Sequence, residues 1–389
     1  MALTFVHTAD WQIGKPFGGF DERMAGRLEA ARLDAIDRVA DAARSAGAAF
    51  VLVAGDVFDS PDLSTLTLRQ PLERLRRHDD LQWLLLPGNH DFAGPAGLWH
   101  RLVAVIGLPD NVTALLKSEP HVIAGGRAVV LPAPLTARSV SEDPTSWMAD
   151  ATTAEGVHRI GLAHGAVHGF GGTSQSSVPI DPRRAQVANL DYLALGDWHG
   201  VKEVAPRTWY SGTPEPDNFA DSDKGSALVV VLGGAARADV RRVPTAHFHW
   251  SRIARRMTSA ADLSALQRDV ERLGPEGHRH VLKLDLSGEV GLEAHEALDR
   301  WLDALRGRVA HLAVHASGLL LARGDGDEAL GVVERSDELR AVAQRLASLA
   351  AGEAYPGERT ASGADQRQEA AAALRRLLAL SREVEESAA

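Results

Sequence analysis

Five short polar motifs, each following an apolar run, constrain this chain of 389 residues more than any other feature. In chain order they are Asp10-Trp11-Gln12, Gly55-Asp56, Gly88-Asn89-His90-Asp91, Ala163-His164-Gly165 and Gly196-Asp197-Trp198-His199. The apolar runs have the length of buried strands, and residues 22–46 and 64–78 between them have the period of amphipathic helices. Strands that alternate with helices favour a sheet with many parallel strands, in which polar groups at the strand ends form ligand sites.

The residue types in these motifs are those that bind divalent cations. Carboxylate and amide oxygens suit hard cations, and imidazole nitrogens suit first-row transition metals. A bridging aspartate, an asparagine, several histidines and further carboxylates are what a two-metal hydrolytic site requires. A lone Gly-Asp is usually a turn, and a lone histidine at a strand end is usually structural. The specificity therefore lies in the ordered set.

The order of the motifs resembles that of the calcineurin-like metallophosphoesterases, whose pattern runs D-x-H, G-D, G-N-H-D/E, H and G-H-x-H. The segments HTADWQIGKPF, GDVFDSP, LLLPGNHD, YLALGDWHG and YSGTPEPDNF look most like the SbcD/YhaO class of DNA-repair exonucleases. That class is the bacterial counterpart of the nuclease subunit of the double-strand-break repair complex. The resemblance implies an α/β fold, namely a four-layer αββα metallophosphoesterase sandwich with a small α+β capping domain and a C-terminal helical tail. It also implies a metal-dependent DNA nuclease whose partner is an SMC-like coiled-coil ATPase.

The resemblance also assigns roles to individual residues. One metal takes Asp10, Gln12, Asp56 and His199, and the second takes Asp56 as a bridge with Asn89, His164 and Asp197. His90 matches the histidine that assists the leaving group. Asp91 either orients His90 or caps backbone amides of the turn, and the sequence leaves both roles open. Gln12 and Asp197 stand where the family has histidine, but each retains an oxygen that can coordinate. We therefore expect a working site that binds two divalent ions and prefers manganese, or else magnesium, over zinc.

The patterning predicts three regions along the chain. By the resemblance, these regions are a phosphoesterase domain over 1–250, a small α+β capping domain over 256–320 and a helical tail over 336–389. The tail has two apolar stripes, at Leu339 to Leu349 and at Leu374 to Val384, and each needs a surface against which to be buried. By resemblance, that surface belongs to the ATPase. A homodimer is likewise implied by the resemblance alone.

Composition limits the alternatives. The chain has no cysteine, which excludes disulfides, thiolate zinc sites and a cysteine nucleophile. It has no signal-peptide pattern and no apolar run of bilayer length, so we expect a cytoplasmic protein without membrane contact. The formal net charge of −10 argues against a general polyanion binder. Two other interpretations therefore stay open: a small-molecule phosphodiesterase or phosphatase of the same superfamily, and a non-catalytic scaffold with an altered metal site.

Overall fold

The computed structural model describes residues 2–168, 178–219, 225–233, 238–321 and 337–350, together with 366–367, 369–374, 376–377 and 380. The chain divides into two compact units, Met1–His249 and Trp250–Ala389. Much of the predicted tail, including Ser336, the segment 351–365, Leu378 and Val384, lies outside the described residues. The three-region organisation, with its capping domain and tail, stays a prediction.

Two six-stranded sheets form the first unit. Its strands are β1 (Leu3–Thr8), β2 (Phe50–Val53), β3 (Gln82–Leu85), β4 (Val112–Ala114), β5 (His121–Ile123), β6 (Ala128–Ala133), β7 (His158–His164), β8 (Ala166–Val167), β9 (Pro179–Ile180), β10 (Tyr192–Gly196), β11 (Lys202–Ala205), β12 (Thr208–Tyr210), β13 (Ser226–Leu232) and β14 (Asp239–Pro244). Its helices are α1 (Glu22–Ser45), α2 (Thr65–Arg77), α3 (Leu98–His100), which continues into the π-helix Arg101–Ile106, and α4 (Arg184–Val187), with 3-10 turns at Ala124–Gly126 and Ser146–Ala149. The first sheet has the order β14-β13-β1-β2-β3-β4 and the second the order β11-β12-β10-β7-β6-β5, while β8 and β9 pair separately.

The parallel strands are contiguous in each sheet, and in the first sheet they include the edge strand β4. Strands β1 to β4 are parallel in the first sheet, and β12, β10, β7 and β6 are parallel in the second. The strands β13, β14, β11 and β5 are antiparallel to their neighbours. Because parallel strands end at the same edge of a sheet, the residues after β1, β2 and β3 lie close together, as do those after β7 and β10.

The two long helices begin at side-chain caps. Asp21 accepts a hydrogen bond of 2.9 Å from the Met24 amide at the start of α1. Ser64 does the same for the Thr67 amide at 3.1 Å at the start of α2. Each cap satisfies a backbone N–H that has no partner within the helix, which fixes where the helix starts. Both helices match their predicted positions to within one residue at each end.

Alternate residues of the first sheet belong to different cores. Phe5 and Phe50 lie in a cluster with Ile160 of the second sheet. Val51 lies instead in a cluster with Ile36 of α1. This period of two places one face of the first sheet against the second sheet and the other against helices. A third cluster packs α4 on the outer face of the second sheet. The predicted αββα sandwich is therefore confirmed.

A buried histidine joins the two sheets near the ends of their central strands. His7 Nε2–H donates to the carbonyl oxygen of Leu195 at 3.2 Å, and His7 Nδ1 accepts from the Tyr192 hydroxyl at 3.0 Å. Burial lowers the pKa of His7 to about 3, against the opposing effect of the Leu195 hydrogen bond, so the ring is neutral. Only the neutral ring has one donor and one acceptor nitrogen, as this arrangement requires.

The second unit contains a three-stranded sheet and three longer helices among its described residues. The elements are β15 (His249–Met257), α5 (Ala260–Glu271), a 3-10 turn (Gly277–Arg279), β16 (His280–Val290), α6 (Leu292–Arg306), β17 (His311–Leu321) and α7 (Asp337–Ala350), with sheet order β15-β16-β17. Leu266 of α5 and Leu302 of α6 pack on Leu284 of β16 in one apolar cluster. In the part of the chain that the structure describes, no helix is long and apolar enough to cross a membrane.

Candidate metal centre

All five polar motifs lie where strands of the first unit end. Asp10 and Gln12 follow β1, Asp56 follows β2, Asn89, His90 and Asp91 follow β3, His164 ends β7, and Asp197 and His199 follow β10. Asp10, Asp56 and His164 are at most 2% exposed. A buried carboxylate is costly unless it is paired or coordinates a cation. Two such carboxylates at one point therefore favour a site for a cation.

His164 lies at the centre of this group. One ligand atom each from Asp10, Asp56 and His164 lies within 4.8 Å of the others. His164 Nδ1–H donates to the carbonyl oxygen of Ala54 at 2.9 Å. Its Nε2 lies 3.5 Å from Asp56 Oδ1 and 3.9 Å from Asp197 Oδ1. A hydrogen bond that fixes one ring nitrogen leaves the other as the ligand atom, which is the usual arrangement of a metal-binding histidine.

The surroundings of His164 strongly favour a positive charge on its ring. Burial lowers the pKa of His164, but the nearby Asp56, Asp10 and Asp197 carboxylates outweigh it and raise the pKa to about 9. Burial raises the pKa of Asp10 to about 6, with His164 and His199 acting in the opposite direction. A proton and a divalent cation compete for the same lone pair on His164 Nε2, so metal binding here depends on pH.

Asn89 completes a set of acceptor atoms. Its Oδ1 lies 2.9 Å from His164 Nε2, and the same position lies 3.2 and 3.3 Å from the two carboxylate oxygens of Asp56. When His164 Nε2 is protonated it can donate to this amide oxygen; when it is not, the oxygen needs a cation among the acceptors, or the amide rotates and its nitrogen donates. Carboxylate, amide oxygen and imidazole together fit a divalent ion.

Backbone strain is concentrated at the same positions. Of the seven non-glycine residues with positive φ in the described ranges, four are predicted ligands: Asp10 (54°), Gln12 (43°), Asp56 (52°) and Asp197 (100°). Such conformations are costly for residues with a Cβ and persist where the surroundings impose them, commonly at functional sites. The loops are thus shaped for the site and not for the lowest local energy.

Two motif glycines make room for the ligands. A Cβ at Gly55 would lie 2.3 Å from His164 Nδ1, and a Cβ at Gly88 would lie 2.1 Å from Asp56 Oδ1. Contacts that short are incompatible with any side chain at either position. Gly55 and Gly88, which precede Asp56 and Asn89, are therefore required by the packing of the site.

His90 contacts the site through its backbone. The His90 amide donates to Asp56 Oδ1 at 3.0 Å. Its side-chain Nδ1–H donates to the carbonyl oxygen of Asp59 at 2.9 Å. This bond fixes the tautomer and leaves Nε2 as the nitrogen that can exchange a proton with another molecule.

Asp91 contacts the backbone of two loops beside the site. The buried Asp91 carboxylate accepts from the Gly88 amide at 2.6 Å and from the Phe58 amide at 3.1 Å. Burial, and secondarily the charge of Asp56, raises the pKa of Asp91 to about 8. Asp91 therefore stabilises the loops that carry the ligands, because the adjacent turn supplies it with backbone donors.

Gln12 and His199 lie together at one side of the site. Gln12 Nε2 lies 3.4 Å from His199 Nε2, and Gln12 Oε1 accepts from Lys15 Nζ at 3.0 Å. The oxygen expected to bind metal therefore already has a donor, although a carbonyl oxygen has a second lone pair. The Asp197 amide donates to Asp10 Oδ1 at 3.1 Å, which connects the loops after β10 and β1.

Three charged residues that are not among the predicted site residues lie beside Gln12. Lys15 Nζ donates to Asp217 Oδ2 at 2.7 Å, and Arg32 donates to the same oxygen at 2.6 Å. Burial would raise the pKa of Asp217, but Arg32 and Lys15 lower it to about 2. Lys15 lies within the segment HTADWQIGKPF and Asp217 within YSGTPEPDNF, but 202 residues separate them and no local pattern relates them.

Comparison with known proteins identifies the family. The calcineurin-like phosphoesterase profile matches residues 3–201, an interval that contains all nine predicted site residues. The chain is a calcineurin-like phosphoesterase. This calcineurin-like chain is 29% identical over 328 residues to a protein of Bacillus subtilis (strain 168) named uncharacterized metallophosphoesterase YhaO, covering 78% of this chain and 77% of that protein. It is 28% identical over 366 residues to the D component of the nuclease SbcCD of Rhodobacter capsulatus, covering 80% of this chain and 87% of the relative. The solved structure of TT1561 of Thermus thermophilus matches 62% of this chain and 99% of its own, at 12% identity and a TM-score of 0.39.

Proposed function

We propose that this phosphoesterase is a metal-dependent DNA nuclease and the nuclease subunit of a repair complex with an SMC-like ATPase. The observation that carries the proposal is the buried group of Asp10, Asp56 and His164, whose ligand atoms lie within 4.8 Å of one another. Similarity to a component of a nuclease over 80% of the chain supports DNA as the substrate.

The proposed cofactors are two divalent ions, preferably manganese. Asp10, Gln12, Asp56 and His199 would hold one, and Asp56, Asn89, His164 and Asp197 the other. When bound, such ions increase the acidity of a coordinated water and neutralise charge on the phosphate. The ligand atoms are mostly oxygens, which favours manganese or magnesium over zinc.

The side chains have complementary tasks in this proposal. His164 keeps Nε2 directed to the ligand group through its bond to Ala54. His90 supplies a proton to the leaving oxygen through Nε2, because Nδ1 is occupied by Asp59. The backbone amide of His90 holds the Asp56 carboxylate, so ligand and general acid have a fixed relative position.

A nuclease assay with labelled duplexes of defined ends, with manganese or with a chelator, tests the activity. We expect manganese-dependent cleavage by the wild type and none by Asp56→Asn. Asp62→Asn changes an exposed aspartate of the same loop and should retain activity. Cleavage of an aryl phosphodiester without cleavage of DNA would favour the small-molecule alternative, which the net charge of −10 also favours. Inactivity on both substrates would favour the scaffold.

The ATPase partner is proposed to dock on α7. Leu339 and Val342 of this helix are 43% and 49% exposed, whereas Leu374 of the second stripe is 3% exposed. An apolar helix face is the usual element that enters a groove on a partner. We therefore place the docking surface on α7, the part of the two stripes whose exposed apolar face lies within the described residues.

Removing residues 336–389, or introducing Leu339→Glu with Val342→Glu, should abolish co-purification with the ATPase. The double variant should still hydrolyse an aryl phosphodiester, and Leu66→Glu at a residue that is 70% exposed in α2 serves as the control. Aggregation of the truncated chain would mean that the tail belongs to its own core. Retained binding by the double variant would contradict the proposed surface.

A further inference from the structure

We infer that Lys15 is a substrate-binding residue whose ammonium group holds a non-bridging oxygen of the phosphoryl group. The inference rests on the proposed phosphodiester hydrolysis and adds a cation, supplied by the chain, that binds the substrate anion. It reverses the ordinary expectation that a single lysine in a loop is only solvated.

The contacts of Lys15 fix its position but do not use all its donors. Its Nζ donates to Asp217 Oδ2 at 2.7 Å and to Gln12 Oε1 at 3.0 Å. An ammonium group has three N–H donors, so one is left for a further acceptor. The Lys15 side chain is 30% exposed, so an anion from solvent can reach it.

The positive charge of Lys15 is not required to neutralise Asp217. Arg32 already pairs with Asp217 at 2.6 Å, and the two side chains are 2% and 1% exposed. Arg32 is also held by the Trp11 carbonyl oxygen at 2.7 Å. That buried pair is neutral without Lys15, so the three groups together have one net positive charge. An anionic substrate can use this charge.

The position of Lys15 relates it directly to the metal centre. Gln12, which accepts from Lys15, lies 3.4 Å from His199 through its amide nitrogen. The Gln12 backbone amide donates to the Asp56 carbonyl oxygen at 2.8 Å, so Gln12 connects Lys15 to the loop that carries Asp56. A fixed cation at the edge of the centre adds to the attraction that bound metal ions would exert on the anion, and it orients the phosphate.

The experiment compares Lys15→Met, which removes the charge and retains the length of the side chain, with wild type. Lys117→Met, at an exposed lysine of the same unit, is the matched control. The readouts are KM and kcat for bis(p-nitrophenyl) phosphate, the affinity for inorganic phosphate by calorimetry on the manganese-loaded protein, and metal content by mass spectrometry. We expect Lys15→Met to weaken phosphate binding and raise KM by about 10- to 100-fold, the size of a hydrogen bond to a charged group. Metal content should stay at the wild-type value.

Two results would overturn the inference. Unchanged phosphate affinity in Lys15→Met would show that the ammonium does not bind the anion. Loss of metal together with activity would show that Lys15 only positions Gln12. Phosphate binding and metal content are measured without turnover, so failure of the proposed nuclease activity would be seen separately, as a wild type that cleaves neither DNA nor the aryl ester.

Discussion

Replacing the proposed general acid, His90→Asn, should lower turnover strongly and leave metal binding unchanged. The contact between His90 and the ligand group is made by the backbone amide, which donates to Asp56 Oδ1 at 3.0 Å. Asparagine retains that amide, so Asp56 keeps its position. The substitution removes His90 Nε2, the ring nitrogen that does not bond to Asp59. Loss of a general acid costs about 10²–10⁴ in rate, or about 2.7–5.5 kcal/mol at the transition state.

The leaving group provides the sharpest assay of this prediction. A nitrophenolate leaves without a proton, whereas a sugar alkoxide from DNA requires one. The deficit of His90→Asn should therefore be much smaller for an aryl phosphodiester than for an oligonucleotide. His100→Asn, at an exposed histidine of the same unit, is the control. Equal deficits on the two substrates, or loss of metal measured by mass spectrometry, would refute the reasoning.

Further expected outcomes concern the metal, a glycine and the buried histidine. Wild type should be active with manganese and nearly inactive with zinc. The double variant Gln12→His, Asp197→His should contain more zinc relative to manganese than wild type. A wild type that is filled with zinc and fully active would contradict this prediction. Gly88→Ala should lose metal and activity while it stays folded by circular dichroism, because the new Cβ would lie 2.1 Å from Asp56 Oδ1. Burial lowers the pKa of His7 to about 3 in the folded protein, whereas the ring in the unfolded chain has a pKa of about 6.5. As the pH falls below 6.5, the unfolded state takes up a proton that the folded state does not, so the folded state loses stability. The excess unfolding free energy of wild type over His7→Asn should fall by about 1.4 kcal/mol per pH unit below that value in urea titrations, and parallel pH profiles would oppose the assignment.

The sequence by itself determined the alternation of strands and helices and the convergence of the polar motifs, while its resemblance to the family supplied the four-layer sandwich. Period-two and helical patterns placed α1 and the central strands, since each face of a strand or helix must match what it packs against. The motifs fell at strand ends, and parallel strands bring those ends together. Asp10, Asp56 and His164 were therefore expected to lie close together before any contact was known.

Only the tertiary structure shows which side chains contact the predicted ligands and the loops that carry them. For Asp91 the sequence left open whether it orients His90 or caps backbone amides, and in the structure its carboxylate accepts from the amides of Gly88 and Phe58. Lys15 contacts Asp217 across 202 residues of chain. Local periodicity records only which face of an element is buried. Contacts such as these depend on how loops from different strands meet when the two sheets pack, and that geometry is set by the whole core.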